Sequence, residues 1–180
     1  RGAPAIGVAA AIGLYLAAQE IEARGREEFL QKLHAAADYL NSARPTAVNL
    51  SWALNRMEKV LEENRDKLTV AQMKERLCQE ADAIREEDIA ISRSIGNLGF
   101  ELLHHGDGIL THCNAGTLAT AKYGTALAPV YIALEHGWDD LHVFCDETRP
   151  LLQGARLSAF EMQTAGVDTT LICDNMASLV

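Results

Sequence analysis

The sequence predicts an α/β fold in which a helical amino-terminal region is followed by a partial Rossmann-like parallel sheet with three visible strands. Apolar residues recur at helical spacing over about the first hundred positions. From residue 106 onward, short apolar runs alternate with helical segments, and the runs begin about thirty residues apart, the size of one strand–helix–strand unit. Such alternation produces a parallel sheet with helices on its faces. We therefore expect a helical domain over residues 1–105 and the first half of a Rossmann-like catalytic domain over residues 106–180.

Four helices are expected in the first region. The Ala-rich segment 5–24 suits a buried helix, and residues 27–40 place leucines at helical spacing. Residues 50–61 present one apolar helix face. The longest run begins after a capping threonine, Thr69, and continues to Leu102 with charges on its opposite face.

The second region contains three short apolar runs with the length and composition of strands: residues 109–113, 141–145 and 170–173. A helix is expected between the first two runs, over residues 114–134. A second helix, capped by Thr148 with Pro150 in its first turn, is expected to end at Ala165.

Composition and charge exclude several classes of function. Among the 180 residues, 16 are Lys or Arg and 25 are Asp or Glu, a net charge of −9 that argues against binding nucleic acid or an anionic membrane. The four cysteines form no CxxC pair or zinc-type cluster, which favours a reduced, cytoplasmic compartment. Pro4, Gly7 and Gly13 interrupt the apolar opening segment, so neither a membrane helix nor a signal peptide is expected. Without a phosphate loop or dinucleotide motif, we expect no metal and no nucleotide cofactor.

Polar side chains follow each predicted strand. In open parallel sheets, ligands bind outside the carboxyl ends of the strands. The residues at these ends are Cys113, Asn114, Asp146, Glu147, Asp174 and Asn175. We therefore expect a thiol and several carboxylates at one edge of the sheet.

Basic and amide groups near this edge indicate an anionic ligand. The predicted helix start at Gly116 and Thr117 would direct free backbone amides towards the edge, which suits a phosphate. Arg149, Gln153 and Arg156 are spaced by four and three residues, so one helix face would present two guanidinium groups and an amide. A sugar phosphate fits this combination.

Cys113 and Asp174 are the candidate reactive groups. Cys113 is equally consistent with a small packing residue at the end of a buried strand. A dyad with His112 is not expected, because adjacent strand residues point to opposite faces. If Asp174 is secluded, burial would raise its pKa, which suits a group that exchanges protons near neutrality. The other cysteines are assigned to packing: Cys78, Cys145 and Cys173.

Several motifs together resemble the methylthioribose-1-phosphate isomerase family, which belongs to a wider group containing the regulatory subunits of translation initiation factor 2B. The motifs are RGAPAIGVAAAIGL at residues 1–14, THCNAG at 111–116, ETRPLLQGARL at 147–157 and CDNMA at 173–177. The resemblance spans nearly the whole chain, and the combination of the last three motifs is highly specific.

The resemblance implies an aldose–ketose isomerase that converts 5-methylthioribose 1-phosphate to 5-methylthioribulose 1-phosphate in methionine salvage, without a cofactor and as a homodimer. It implies that Asp174 is the proton donor and Cys113 the transition-state stabiliser or second acid/base. The implied substrate contacts are Arg1, Gly2, Ala3, Arg44 and Gln153.

Two alternatives stay open. The chain could be a related isomerase of ribose 1,5-bisphosphate or 5-deoxyribose 1-phosphate, or a non-catalytic regulatory subunit. The chain is also expected to be a fragment, because it has no initial Met and its last residues, 176–180, resemble the first turn of an unfinished helix. Family members continue with further strands, so we expect this piece alone to be weakly stable or to pair with another chain at its sheet edge.

Overall fold

The computed structural model describes residues 3–180, which form two compact units, Ala3–Asp88 and Ile89–Val180. The elements in chain order are α1 (Ala3–Glu20), α2 (Arg26–Ser42), α3 (Val48–Glu62), α4 (Val70–Phe100), β1 (Gly108–Thr111), α5 (Ala128–Glu135), β2 (His142–Asp146), α6 (Ala159–Thr164) and β3 (Asp168–Ile172). The predicted α/β class, helical first region and three strands are therefore confirmed. The division into domains after residue 105 stays a prediction.

The helical unit is built around an apolar core. Leu14 of α1, Leu33 of α2, Leu61 of α3 and Leu77 of α4 are almost completely buried and belong to one cluster. Burying a leucine side chain contributes about 1.5–3 kcal/mol relative to leaving it exposed. The helical periodicity of the sequence thus identified the residues that hold this unit together.

Helix α1 is more continuous than the sequence suggested. Gly7 and Gly13, which were expected to interrupt the apolar segment, lie within the helix. By length and composition alone α1 could cross a membrane, with a mean hydropathy of 1.3, a test that the core helix of a soluble protein also passes. In this structure Val8, Leu14 and Ala18 pack into the core of the helical unit.

The apolar stripe of α4 is buried only along its first half. Met73, Leu77 and Ile84 are buried in the helical unit, whereas Ile91 and Leu98 are exposed by 60% and 65%. The helix itself is confirmed over 31 residues. Helical spacing of apolar residues therefore predicted the secondary structure but not which part of the stripe is covered.

The sheet is parallel throughout, with strand order β1–β2–β3. Its register aligns Thr111 with Cys145 and Cys145 with Leu171. Val143 and Cys145 of the central strand are fully buried and cluster with Val130 of α5 and Met162 of α6. The carboxyl ends of the three strands consequently lie at one edge of the sheet, as predicted.

Both helices of the second unit are shorter than predicted. Only a 3₁₀ turn, Thr117–Ala119, and α5 form within residues 114–134, because the chain folds back and the carbonyl of Ala115 accepts a hydrogen bond from the amide of Thr125 (2.8 Å). Thr148 caps no helix, since the helical backbone begins later with the π-helical turn Gly154–Ser158, which continues into α6. The predicted helix boundaries at these two places are wrong.

Candidate active site

Asp174 lies at the carboxyl end of β3, where two backbone amides hold its carboxylate. The amide of Thr148 donates to Oδ1 and the amide of Arg149 donates to Oδ2, both at 2.8 Å. The amide of Arg149 is the largest cause of a lowered pKa for Asp174, and the amide of Thr148 adds to it, because both bonds favour the ionised form. The condition for a raised pKa of Asp174 is therefore not met: the side chain is only half-buried, and the two amides outweigh desolvation.

Thr148 also holds the segment that carries Cys113. Its hydroxyl oxygen accepts a hydrogen bond from the amide of Cys113 (2.8 Å), and the hydroxyl donates to the carbonyl of Asp146 (3.2 Å). Thr148 is buried, whereas the side chain of Cys113 is exposed. The predicted thiol and carboxylate thus belong to residues that are bonded to the same threonine.

Thr148 and two residues near it adopt left-handed backbone conformations. The φ angles are +65° at Cys113, +60° at Thr148 and +55° at Leu152. Non-glycine residues rarely adopt such angles, and a β-branched residue does so least readily. Each costs about 1–3 kcal/mol and persists only where surrounding contacts enforce it, which is common at functional sites.

The loop after Cys113 is fixed by a buried glutamate, Glu161 of α6. Its Oε1 accepts a hydrogen bond from Nδ2 of Asn114 (2.9 Å), and its Oε2 accepts from Oγ1 of Thr117 (2.8 Å) and from the amide of Leu118 (3.1 Å). A carboxylate of the protein thus binds the hydroxyl of Thr117 and the amide of Leu118, beside the amides predicted to bind an anion. The anion site at Gly116 and Thr117 stays a prediction.

The glutamate network extends to the backbone of the candidate thiol. Nδ2 of Asn114 also contacts Oγ of Ser158 at 3.3 Å, and this hydroxyl donates to the carbonyl of Cys113 at 2.7 Å. Ser158 and Glu161 are both buried. The backbone of Cys113 is consequently held at its amide by Thr148 and at its carbonyl by Ser158.

A histidine–aspartate pair lies beside Asp174. Nδ1 of His112 is 3.0 Å from Oδ2 of Asp146, and one nitrogen or oxygen atom from each of His112, Asp146 and Asp174 lies within 4.8 Å of the others. Asp146 is buried, and among the described residues its Oδ1 has no hydrogen-bond partner. Histidine and carboxylates are donor types that could hold a metal, so the expectation of no metal stays a prediction.

The comparison with known proteins decides the family. The model of the Initiation factor 2 subunit family matches residues 1–180, the whole chain. The chain belongs to that family. The predicted resemblance is confirmed, and the isomerases within the family are its similar relatives.

Two curated relatives illustrate the similarity. The chain is 60% identical over 180 residues to a methylthioribose-1-phosphate isomerase of Symbiobacterium thermophilum and 54% identical to a 5-deoxyribose 1-phosphate isomerase of Bacillus thuringiensis serovar kurstaki. These matches cover 100% of this chain but 50% and 51% of the relatives. The chain therefore spans about half the length of the curated relatives that it matches.

Solved structures give the same family and the same fold. The 5-methylthioribose 1-phosphate isomerase of Pyrococcus horikoshii OT3 matches with a TM-score of 0.92 and 46% identity, over 100% of this chain and 50% of that one. A translation initiation factor eIF-2B subunit delta from A. fulgidus matches with a TM-score of 0.90 and 44% identity, over 100% and 52%. A protein named as an enzyme and a protein named as an initiation factor subunit are thus similar to this chain at nearly the same sequence identity, 46% and 44%.

The structure distributes the other predicted site residues between the two units. Gln153 is half-buried in the second unit, immediately before the π-helical turn. Ala3 and Arg44 lie in the helical unit, where both are exposed and the carbonyl of Ala3 accepts a hydrogen bond from Asn49 (2.6 Å). Arg1 and Gly2 lie outside the described residues.

The predicted guanidinium face is wrong. Arg149 precedes the helix instead of lying on it, and its side chain is exposed. Both Nε and Nη2 of Arg156 donate to the carbonyl of Leu151, at 3.0 and 2.7 Å. The turn between β2 and the π-helical turn therefore separates residues that a continuous helix would have aligned.

The packing assignment of the other cysteines is only partly confirmed. Cys145 is fully buried in the sheet core, and burial raises its pKa to about 11. Cys78 is half-buried, whereas Cys173 is exposed, so its assignment to packing is wrong. Cys173 lies beyond the last residue of β3, between the strand and the 3₁₀ turn Asp174–Met176.

Sequence reasoning missed Thr148, Ser158 and Glu161 as residues that shape the site. Ser158 and Glu161 are three residues apart and share the buried side of their helix with Met162. Polar residues on an apolar helix face need partners. That pattern was the available signal for a buried network, whereas nothing in the sequence indicated the hydrogen bonds of Thr148.

Proposed function

We propose that the protein is an aldose–ketose isomerase that converts 5-methylthioribose 1-phosphate to 5-methylthioribulose 1-phosphate, a step of methionine salvage. The observation that carries the proposal is the attachment of Cys113 and Asp174 to Thr148, which brings a thiol and a carboxylate to one end of the sheet. The relatives named as isomerases at 60% and 54% identity support the reaction class.

The reaction moves hydrogen without any net oxidation. In the substrate the phosphate on C1 keeps the sugar ring closed, so the bond from C1 to the ring oxygen must break and that oxygen must gain a proton. The hydrogen on C2 is transferred to C1, as a hydride or through an enediol, and the C2 hydroxyl loses its proton to become a carbonyl. Atoms and electrons balance, since one proton enters and one proton leaves.

Asp174 has the properties of a group that first accepts a proton and then returns it. Its pKa is lowered chiefly by the amide of Arg149, so it enters the reaction ionised and takes the proton that the sugar releases. The protonated Asp174 then returns this proton to the ring oxygen that is released from C1, so that no proton is gained or lost overall. The thiol of Cys113, exposed at the same end of the sheet, is proposed to stabilise the charge that develops or to act as the second acid/base.

The remaining features of the proposal follow the family. Arg1, Gly2, Ala3, Arg44 and Gln153 are proposed to contact the substrate, with the arginines suited to its phosphate. The proposed enzyme uses no cofactor, acts in the cytoplasm and works as a homodimer.

A second candidate substrate is 5-deoxyribose 1-phosphate. It is favoured by the Bacillus thuringiensis relative, which carries the name of that isomerase and is 54% identical to this chain. The two sugars differ only at the 5-position, so the same reacting groups serve both.

The test is a kinetic assay of the protein expressed at the full length that its gene encodes. Product formation from 5-methylthioribose 1-phosphate, 5-deoxyribose 1-phosphate and ribose 1,5-bisphosphate would be followed by phosphorus-31 NMR. We expect turnover that falls by at least about a hundredfold in Asp174→Asn and Cys113→Ala. Asp168→Asn, at the opposite end of the same strand, and Cys78→Ala are the matched controls.

A regulatory subunit predicts a different result. Such a protein would bind a sugar phosphate without turnover, and neither substitution at the site would change that affinity. Retention of full turnover by Asp174→Asn would contradict the proposed chemistry.

A further inference from the structure

His112 and Asp146 form a hydrogen-bonded pair that has no role in the proposed reaction as described above. Nδ1 of His112 lies 3.0 Å from Oδ2 of Asp146. One nitrogen or oxygen atom of each of these two side chains also lies within 4.8 Å of a carboxylate oxygen of Asp174. His112 follows β1 directly and Asp146 ends β2, so adjacent strands bring the pair to the third strand end.

Asp146 is suited to fix the imidazole ring. Its side chain is only 7% exposed, and its Oδ1 lacks a hydrogen-bond partner within residues 3–180. A buried carboxylate requires compensation by a donor or a positive charge. The bond from His112 provides it, and it also sets Nδ1 of the ring as the nitrogen that carries a hydrogen.

We propose that His112, oriented by Asp146, is a positioning residue that keeps Asp174 in its charged, proton-accepting form at the start of each turnover. This inference rests on the proposed isomerase function. His112 is not assigned a proton-transfer step of its own.

The electrostatics of Asp174 are consistent with this role. The amide of Arg149 and then the amide of Thr148 are the larger causes that lower the pKa of Asp174, and the charge of His112 lowers it further. The guanidinium of Arg149 also acts in this direction, while desolvation opposes it. Charged groups close to Asp174 in the described part of the chain include His112, Asp146 and Arg149. The negative charge of Asp146 itself opposes ionisation of Asp174, while its bond to His112 holds the imidazole beside Asp174.

The sheet contains a matched control pair. Nδ1 of His142 lies 2.7 Å from Oδ2 of Asp168, but this pair joins the first residues of β2 and β3, at the amino ends of the strands. Substitution of His142 removes the same chemical contact at the opposite end of the sheet from Asp174.

The experiment measures pH–rate profiles for His112→Gln, Asp146→Asn, the double variant and His142→Gln, using the full-length protein and 5-methylthioribose 1-phosphate. For His112→Gln we expect the acid limb of kcat/KM to move to higher pH, with a loss of about fivefold at acidic pH that is much smaller near pH 8. KM at pH 8 should change by less than about twofold. Asp146→Asn removes a negative charge as well as the anchor of the imidazole, so it should move the limb less than His112→Gln does. The double variant should lose no more than His112→Gln alone, and His142→Gln should match the wild type.

A second measurement does not depend on turnover. Carbon-13 NMR of the Asp174 carboxyl should show a higher pKa in His112→Gln than in the wild type, and His112→Asn replaces it if His112→Gln does not fold. An unchanged Asp174 titration, a wild-type rate profile for His112→Gln, or additive losses in the double variant would each overturn the inference while leaving the isomerase proposal intact. A wild-type protein without turnover would instead remove the proposed function and this role together.

Discussion

Replacing Glu161 by Gln tests whether the buried network holds the loop of Cys113. The variant keeps the size of the side chain but exchanges one acceptor oxygen for an NH₂ group. The oxygen of the new amide can still accept from Thr117 and Leu118, but its NH₂ then faces Nδ2 of Asn114, another donor. Rotation of the Asn114 amide would let its Oδ1 accept from this NH₂ group, but it would break the bond from Asn114 to Ser158, because the hydroxyl of Ser158 already donates its proton to the carbonyl of Cys113. One hydrogen bond is therefore lost in either orientation.

The expected loss follows from the contacts removed. One hydrogen bond to a charged acceptor disappears, at about 1.5–3 kcal/mol, and the other two become weaker neutral bonds. We therefore expect the free energy of unfolding to fall by about 3 kcal/mol and the melting temperature by about 6–12 °C for a protein of this size. Glu101→Gln is the control, since Glu101 is exposed beyond the end of α4.

The assay is urea denaturation followed by circular dichroism, with turnover measured on the folded variant. Because the backbone of Cys113 loses part of its support, kcat should fall more than KM rises. If the free energy of unfolding of Glu161→Gln is within about 0.5 kcal/mol of the wild-type value, the network does not stabilise the protein as proposed.

Three further predictions concern the same end of the sheet. Thr148→Val leaves the amide of Cys113 without its acceptor and should cost about 1–3 kcal/mol with a clear loss of kcat, whereas Thr148→Ser should retain both properties in denaturation and rate assays. Gly154→Ala should destabilise by about 3 kcal/mol, because its Cβ would overlap a backbone carbonyl, whereas Gly25→Ala, with open space around it, should not. Because the folded pKa of Asp174 is lowered, its stabilising contribution is complete above the unfolded pKa and disappears as pH falls through the folded pKa. The stability difference between wild type and Asp174→Asn should thus be constant above about pH 5 and shrink on acidification, and a constant difference at all pH values would contradict this assignment.

Periodicity was sufficient to predict the main elements. Helices α1 to α4 and all three strands form where the apolar patterns indicated, because those patterns directly encode which side chains are buried. The parallel arrangement followed from the alternation of elements, and it placed Cys113 and Asp174 at one edge of the sheet.

The details of the site depend on contacts that are distant in sequence. Glu161 accepts a hydrogen bond from the amide of Leu118, 43 residues away in the sequence, and no local pattern indicates this pairing. Thr148 was a reasonable N-cap from its sequence context, yet its left-handed backbone directs it to Cys113 and Asp174. The pKa of Asp174 is lowered, and not raised as seclusion would have made it, because two backbone amides, invisible in the sequence, stabilise its charge.

The most direct test of the central claim is a crystal structure of full-length Asp174→Asn with 5-methylthioribose 1-phosphate bound. The account predicts that the sugar lies across the strand ends, with Sγ of Cys113 and the side chain at position 174 both in contact with the carbons or oxygens that react. A sugar phosphate bound elsewhere, touching neither side chain, would contradict it.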